Sequence, residues 1–209
     1  MNDYLKLNVL RIAVFVSGRG SNLKAILDSP FLKNKIQVVA VLSDKENCPA
    51  FEIAREHSID TYNIGKKENF IRNDELKEFL KKLNPDLVVL AGYLKLIPSD
   101  VVKNFTNKII NIHPALLPAF GGDGMYGMNV HRAVFNSSAK VSGATVHFVN
   151  EIYDSGKIIA QKCVDISGAR SPEEIAEAVL KVEHKILPEV ILAFTEKRIQ
   201  IVDSRVVVN

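Results

Sequence analysis

The chain has 209 residues, of which 47% are hydrophobic and 24% charged, with a formal net charge of +3. That length and apolar content suit one compact domain with a sizeable core, and the mix of charges excludes a disordered chain. A charge this small lacks the dense basic face of a nucleic-acid binder, and no stretch is long and apolar enough to span a membrane.

In chain order, residues 11–17 (RIAVFVS) form a β-branched, aromatic run that predicts a buried strand ending in Gly18-Arg19-Gly20. Residues 21–28 (SNLKAILD) predict a helix with Ser21 or Asn22 as its N-cap. A second strand follows at 36–43 (IQVVAVLS), a second helix in AFEIAREHS, and a short strand near Thr61. Residues 68–83 carry Phe70, Leu76, Phe79, Leu80 and Leu83 at near-helical spacing, which predicts one helix over that span. Apolar runs at 86–91 and 107–112 predict two more strands. The stretches 140–149 and 157–166 are joined by a polar turn and predict a hairpin; 171–196 predicts a long helix broken or bent at Pro188, followed by about one strand.

Continuous apolar strands separated by helices predict an α/β fold, a doubly wound and mainly parallel sheet covered on both faces. With no Ser/Gly/Pro-rich linker, residues 1–209 read as a single domain, with a phosphate-binding half over about 10–105 and a catalytic half over about 106–200. Two cysteines, Cys48 and Cys163, make no disulfide framework, and the N-terminus shows no cleavage signal, so a cytoplasmic protein is expected. In such sheets ligands bind beyond the carboxyl ends of the strands. That rule directs attention to Gly18–Asn22, Ala91–Lys95, Asn111–Pro118 and the turn around Asp154.

Three constellations there carry chemistry. In SGRGSNL, residues 17–23, a strand, a glycine turn and a helix start present backbone N–H groups to an anion, and a phosphate is the natural guest. A plain tight turn would also read this way, but two glycines and Ser-Asn exceed what a turn needs. In NIHP, Asn111 and His113 are two residues apart on an extended segment and share a face. An amide donor beside an imidazole suits an oxyanion and a proton in transit. Asp154 lies in the turn of the predicted hairpin; if it meets His113, its carboxylate holds the imidazolium and raises its pKa. His57, His131, His147 and His184 show no metal-ligand spacing, so no metal site is expected, and His147 reads as a satisfied buried histidine.

SGRGSNL, DLVVLAGYLKLI, NIHPALLP, VHFVNEIYDSG and VEHKILPEV occur in that order. Together they resemble the phosphoribosylglycinamide formyltransferase family of purine synthesis, over roughly residues 10–200. The resemblance implies formyl transfer from 10-formyltetrahydrofolate, a cosubstrate, to the amine of glycinamide ribonucleotide. It implies a catalytic trio of Asn111, His113 and Asp154, and a phosphate held by Gly18, Arg19, Gly20, Ser21 and Asn22. Pro114 and Glu183 would line the glycinamide and ribose side, and the pterin would lie against Leu94, Lys95, Ile97, Asn150, Glu151, Ile152 and Tyr153. On this reading Asn111 and a protonated His113 stabilise the oxyanion, a role worth about 3–4 kcal/mol per donor. The partners are small molecules, with neither nucleic acid nor membrane, and the protein is a monomer or homodimer.

The chain departs from the family after LLP, where AFGGDGMYGMNVHR is several residues longer and His131 stands for the family's final histidine. Gly121, Gly122 and Gly124 predict a mobile loop there. Two other readings compete. A formyltetrahydrofolate deformylase-like hydrolase shares the Asn-x-His…Asp chemistry but is expected to carry a further N-terminal domain. A nicotinamide-dependent dehydrogenase would use Gly18, Gly20 and Asp44, yet Leu23 stands where the third glycine belongs.

Overall fold

The computed structural model of the protein describes residues 9–209. Seven strands form one sheet: β1 (Leu10–Val16), β2 (Ile36–Ser43), β3 (Thr61–Asn63), β4 (Leu87–Leu90), β5 (Ile109–His113), β6 (Val141–Phe148) and β7 (Ile158–Asp165). Their order is β3-β2-β1-β4-β5-β6-β7. The first five run parallel, β6 returns antiparallel to β5, and β7 pairs antiparallel with β6 as the predicted hairpin. The connecting helices are α1 (Ser21–Leu27), α2 (Ala50–Glu56), α3 (Leu76–Leu83), α4 (Ser99–Asn104), α5 (Met128–Asn136) and α6 (Pro172–Thr195), and a separate hairpin of β8 (Ile199–Val202) and β9 (Arg205–Val208) ends the chain.

Ile12–Val16 of β1 and Leu87–Leu90 of β4 are apolar at every position because both of their faces are covered. Ile12, Val14 and Val16 of β1 join Ile110 and Ile112 of β5 in a core against α1, α2, α5 and α6. Ala13 and Phe15 point the other way, with Val88, Leu90 and Ile109, into a second core against α3 and α4. The strand period of two thus assigns each residue to a layer. It also fixes the site, since Asn111 and His113 follow Ile109 on the second face while Ile110 and Ile112 anchor the strand on the first.

Helix α6 is the longest element, and its start follows from local chemistry. Ser171 Oγ accepts the Glu174 N–H at 3.2 Å, Pro172 occupies the first turn, and Glu174 Oε2 accepts the Arg170 N–H at 2.8 Å. Its buried row steps by four through Ile175, Val179, Glu183, Leu187 and Ile191. A carboxylate in the middle of that apolar row is what the core would not select by itself.

Four local expectations are corrected. The N-cap of α1 is Gly20, at φ 76°, with no side-chain cap, because Asn22 turns its amide to Glu183 instead. The helix expected over 68–83 is confined to Leu76–Leu83, since Ile71 pairs with Ile64 and Arg72 binds Asp74 and Glu75 locally. Pro188 lies inside an unbroken α6, where its buried ring packs in the core face. The tail forms two strands, turning at Asp203 with φ 52°. Helices α4 and α5 go beyond the elements expected from the sequence.

Candidate active site

The β1–α1 turn is built from backbone. Gly18 O accepts from Ala50 N at 3.3 Å and from the buried Cys48 thiol at 3.3 Å, which ties the turn to α2. Gly20 adopts φ 76°, and a Cβ there would lie 2.6 Å from Ala50 Cβ, so only glycine fits. The N–H groups of the first turn of α1 have no acceptors within the helix and remain available to a ligand. Arg19 stands exposed at the rim, and Asn22 Nδ2 donates to Glu183 Oε2 at 2.6 Å. Burial pushes the Glu183 carboxyl up to about 7, against the opposing pull of the Asn22 hydrogen bond.

The second wall is built from side chains of distant segments. Register places Asn111 of β5 opposite His147 of β6, and Asn111 Nδ2 lies 3.1 Å from His147 Nε2. His147 Nδ1 is 2.8 Å from the Phe148 carbonyl, which can only accept, so Nδ1 carries a proton and Nε2 is turned to the Asn111 amide. The β6–β7 connection returns Asp154, itself at φ 52°, to both imidazoles. Its Oδ2 lies 3.5 Å from His113 Nδ1 and its Oδ1 3.6 Å from His147 Nε2. His113 Nε2 lies 2.8 Å from the Phe120 carbonyl, which fixes the proton on Nε2 and leaves Nδ1 toward Asp154.

Both partners titrate low. Burial lowers the His113 pKa, with His147 adding to the effect; the Asp154 charge and the Phe120 carbonyl oppose it and fall short. Burial would raise Asp154, but the His147 imidazole, the His113 charge and the Gly122 N–H together hold it below the usual carboxylate range. The resting pair is therefore a carboxylate beside a neutral imidazole. Asp154 does raise the His113 pKa, as expected, but removal from water outweighs one carboxylate at 3.5 Å, so the cationic His113 expected from the sequence is not the resting state.

The glycine-rich loop is tied to this pair rather than free of it. Phe120 O holds His113, and Gly122 N–H donates to Asp154 Oδ2 at 3.0 Å. Gly121 between them is packed closely, since a Cβ would sit 2.4 Å from Leu117 Cδ2 and 3.2 Å from Asp154 Cβ, so a side chain there would have to push both aside.

These walls enclose a cavity of about 370 Å³, within the size range of small-molecule sites. Gly18, Arg19 and Ser21 line one part, and Asn111, His113, Pro114, Asp154 and Glu183 another; Leu94, Lys95, Ile97, Asn150, Ile152 and Tyr153 line a third. Three residues expected at the site are not on this wall. Gly20 is packed on α2, Asn22 lies behind Glu183, and Glu151 points to Lys103 at 3.3 Å. Asp44 accepts from Ser17 Oγ at 2.6 Å, and Ser17 Oγ accepts the Leu94 N–H at 3.1 Å, so the acid at the β2 end fixes the 92–96 loop. Among the described residues no group of three His, Cys, Asp or Glu side chains is placed to hold a metal ion.

His147 and His131 line the cavity too. Sequence reasoning passed over His147 as structural; the signal for it is the strand register, which a single chain does not reveal.

Residues 10–191 match the formyl transferase family. The chain belongs to the formyl transferase family. Among formyl transferases, it is 46% identical over 196 residues to the chloroplastic phosphoribosylglycinamide formyltransferase of Arabidopsis thaliana, covering 91% of this chain and 67% of that one. It is 34% identical over 199 residues to the phosphoribosylglycinamide formyltransferase of Haemophilus influenzae, covering 93% and 91%. The fold superposes on the crystal structure of glycinamide ribonucleotide transformylase 1 from Symbiobacterium toebii with a TM-score of 0.87 and 36% identity, covering 100% of this chain and 98% of that one.

Proposed function

We propose that this formyl transferase moves the formyl group of 10-formyltetrahydrofolate to the amine of glycinamide ribonucleotide, in the cytoplasm and without a metal. The observation that carries this reading is the meeting of Asn111, His113 and Asp154 on one cavity wall, with a backbone anion cradle on another. The phosphate sits at the Gly18–Asn22 turn with Arg19 above it. The ribose and glycinamide run past Glu183 and Pro114. The folate ring lies on the apolar side formed by Leu94, Ile97, Ile152 and Tyr153.

Neutral His113 supplies the base. As the amine nitrogen bonds to the formyl carbon, its proton passes to His113 Nδ1. The new imidazolium is paired by Asp154, and the Asn111 amide together with the Nδ1–H holds the oxyanion. Collapse breaks the carbon–nitrogen bond to the folate, whose nitrogen takes the proton back, directly or through water held by Asp154. One proton enters and leaves the protein per turnover, and burial of His113 keeps it ready to receive.

The test is folate absorbance on mixing the protein with 10-formyltetrahydrofolate, with and without glycinamide ribonucleotide. Release that needs the nucleotide supports the transferase. Release without it indicates a deformylase, and no release in either mixture defeats the reading.

A further inference from the structure

His131 is the histidine of the cavity whose ring finds no hydrogen-bond partner among the described residues. It is 6% exposed, sits in the first turns of α5 and lines the same cavity as His113, Asp154 and Glu183. Its Nδ1 is buried without a hydrogen bond. By contrast, both nitrogens of His113 and of His147 face polar groups of the protein. His184 also has an unpartnered nitrogen, but it does not line the cavity.

An orphaned lone pair in a protein interior is tolerated better than an orphaned N–H. Nδ1 is therefore bare and Nε2 carries the proton, which makes the ring a neutral donor toward the cavity. Burial, and then the nearby His113, lower its proton affinity and keep it neutral. Such a donor suits a neutral acceptor oxygen. A phosphate would be served by a cation, and Arg19 already stands at the turn where one would bind.

We propose that His131 orients the acceptor substrate, its Nε2–H donating to the amide carbonyl oxygen of the bound glycinamide. This rests on the reading of the acceptor given above. In that molecule the carbonyl carbon is two bonds from the nucleophilic nitrogen, so a donor close to His113 reaches the carbonyl while His113 meets the amine. The bond holds the amine at the angle needed for attack and selects an α-amino amide over other amines.

The experiment is a cycle between protein and substrate. Wild type, His131→Leu and His131→Gln are assayed with glycinamide ribonucleotide and with an analogue in which the amide carbonyl is a methylene. Wild type loses roughly three- to tenfold in kcat/KM on the analogue, the value of one hydrogen bond. His131→Leu shows that loss already with the natural acceptor, chiefly in its KM with the folate KM unmoved, and loses nothing further on the analogue. His131→Gln recovers most of it. Full activity of His131→Leu with the natural acceptor overturns the inference, as do independent, additive losses. If His131→Leu does not fold, wild type with the analogue decides, and an undiminished rate overturns it. Failure of wild type to formylate glycinamide ribonucleotide defeats the proposed activity instead.

Discussion

The two walls of the cavity are made differently. The β1–α1 turn is one contiguous stretch of backbone, held by Gly18 and Gly20 against α2. The opposite wall brings together Asn111, His113, Phe120, Gly122, His147 and Asp154, four segments whose meeting depends on β6 returning antiparallel beside β5. On the proposed function, the comparison teaches that an anion site can be written locally, whereas a proton-transfer site needs long-range register. The two should therefore fail separately.

The largest separation is expected for His113→Ala. Its kcat should fall by roughly 10²–10⁴, the usual worth of a positioned acid–base group. The dissociation constant for the ribonucleotide should stay close to that of wild type in calorimetry; a matching loss of binding would merge the walls. Next comes Gly121→Ala, which adds a methyl between Leu117 and Asp154 without touching a ligand. Displacing Asp154 by a few tenths of an ångström should cost roughly three- to tenfold in kcat, and unchanged kcat would show that the loop does not position the acid.

Glu183 links the walls, and its effect reads out as stability. Its folded-state pKa of about 7 lies above the unfolded value of 4.5. Its contribution is fully present below pH 4.5 and is lost as pH rises toward 7. Glu183→Gln, which keeps an acceptor for Asn22, should be more stable than wild type at pH 8 by on the order of 3 kcal/mol and equal to it near pH 4. Denaturant midpoints at the two pH values check this, and equal midpoints at pH 8 would count against the burial argument. The smallest effect belongs to exposed Arg19. Arg19→Ala should raise the ribonucleotide KM by roughly three- to tenfold at low salt and by less at high salt, and an unmoved KM would remove Arg19 from the phosphate site.

Much of this fold is legible in the sequence because strands buried on both faces carry continuous apolar runs, as IAVFV does within RIAVFVS and LVVLA within DLVVLA. The helix expected over 68–83 failed where Arg72, Asp74 and Glu75 bond locally instead of continuing helical turns. The β1–α1 turn is readable because its glycines answer a local demand. Asn111 and His113 are readable as a pair by the strand period, but their meeting with Asp154, 3.5 Å from His113, is not. Neither is the neutral state of His113, which follows from enclosure rather than from its neighbours in the chain. Glu183 left a trace in the sequence, a carboxylate in a four-residue apolar step, and His147 left none until β5 and β6 were paired.

The central claim is that a separate, side-chain wall carries the chemistry around Asp154. Single-turnover formyl transfer by Asp154→Asn, with ribonucleotide binding measured on the same sample, tests it most directly. Loss of the carboxylate should slow transfer by roughly 10³-fold, with the binding constant moved by less than about threefold. Transfer within about tenfold of wild type, or a collapse of binding alongside it, would contradict the account.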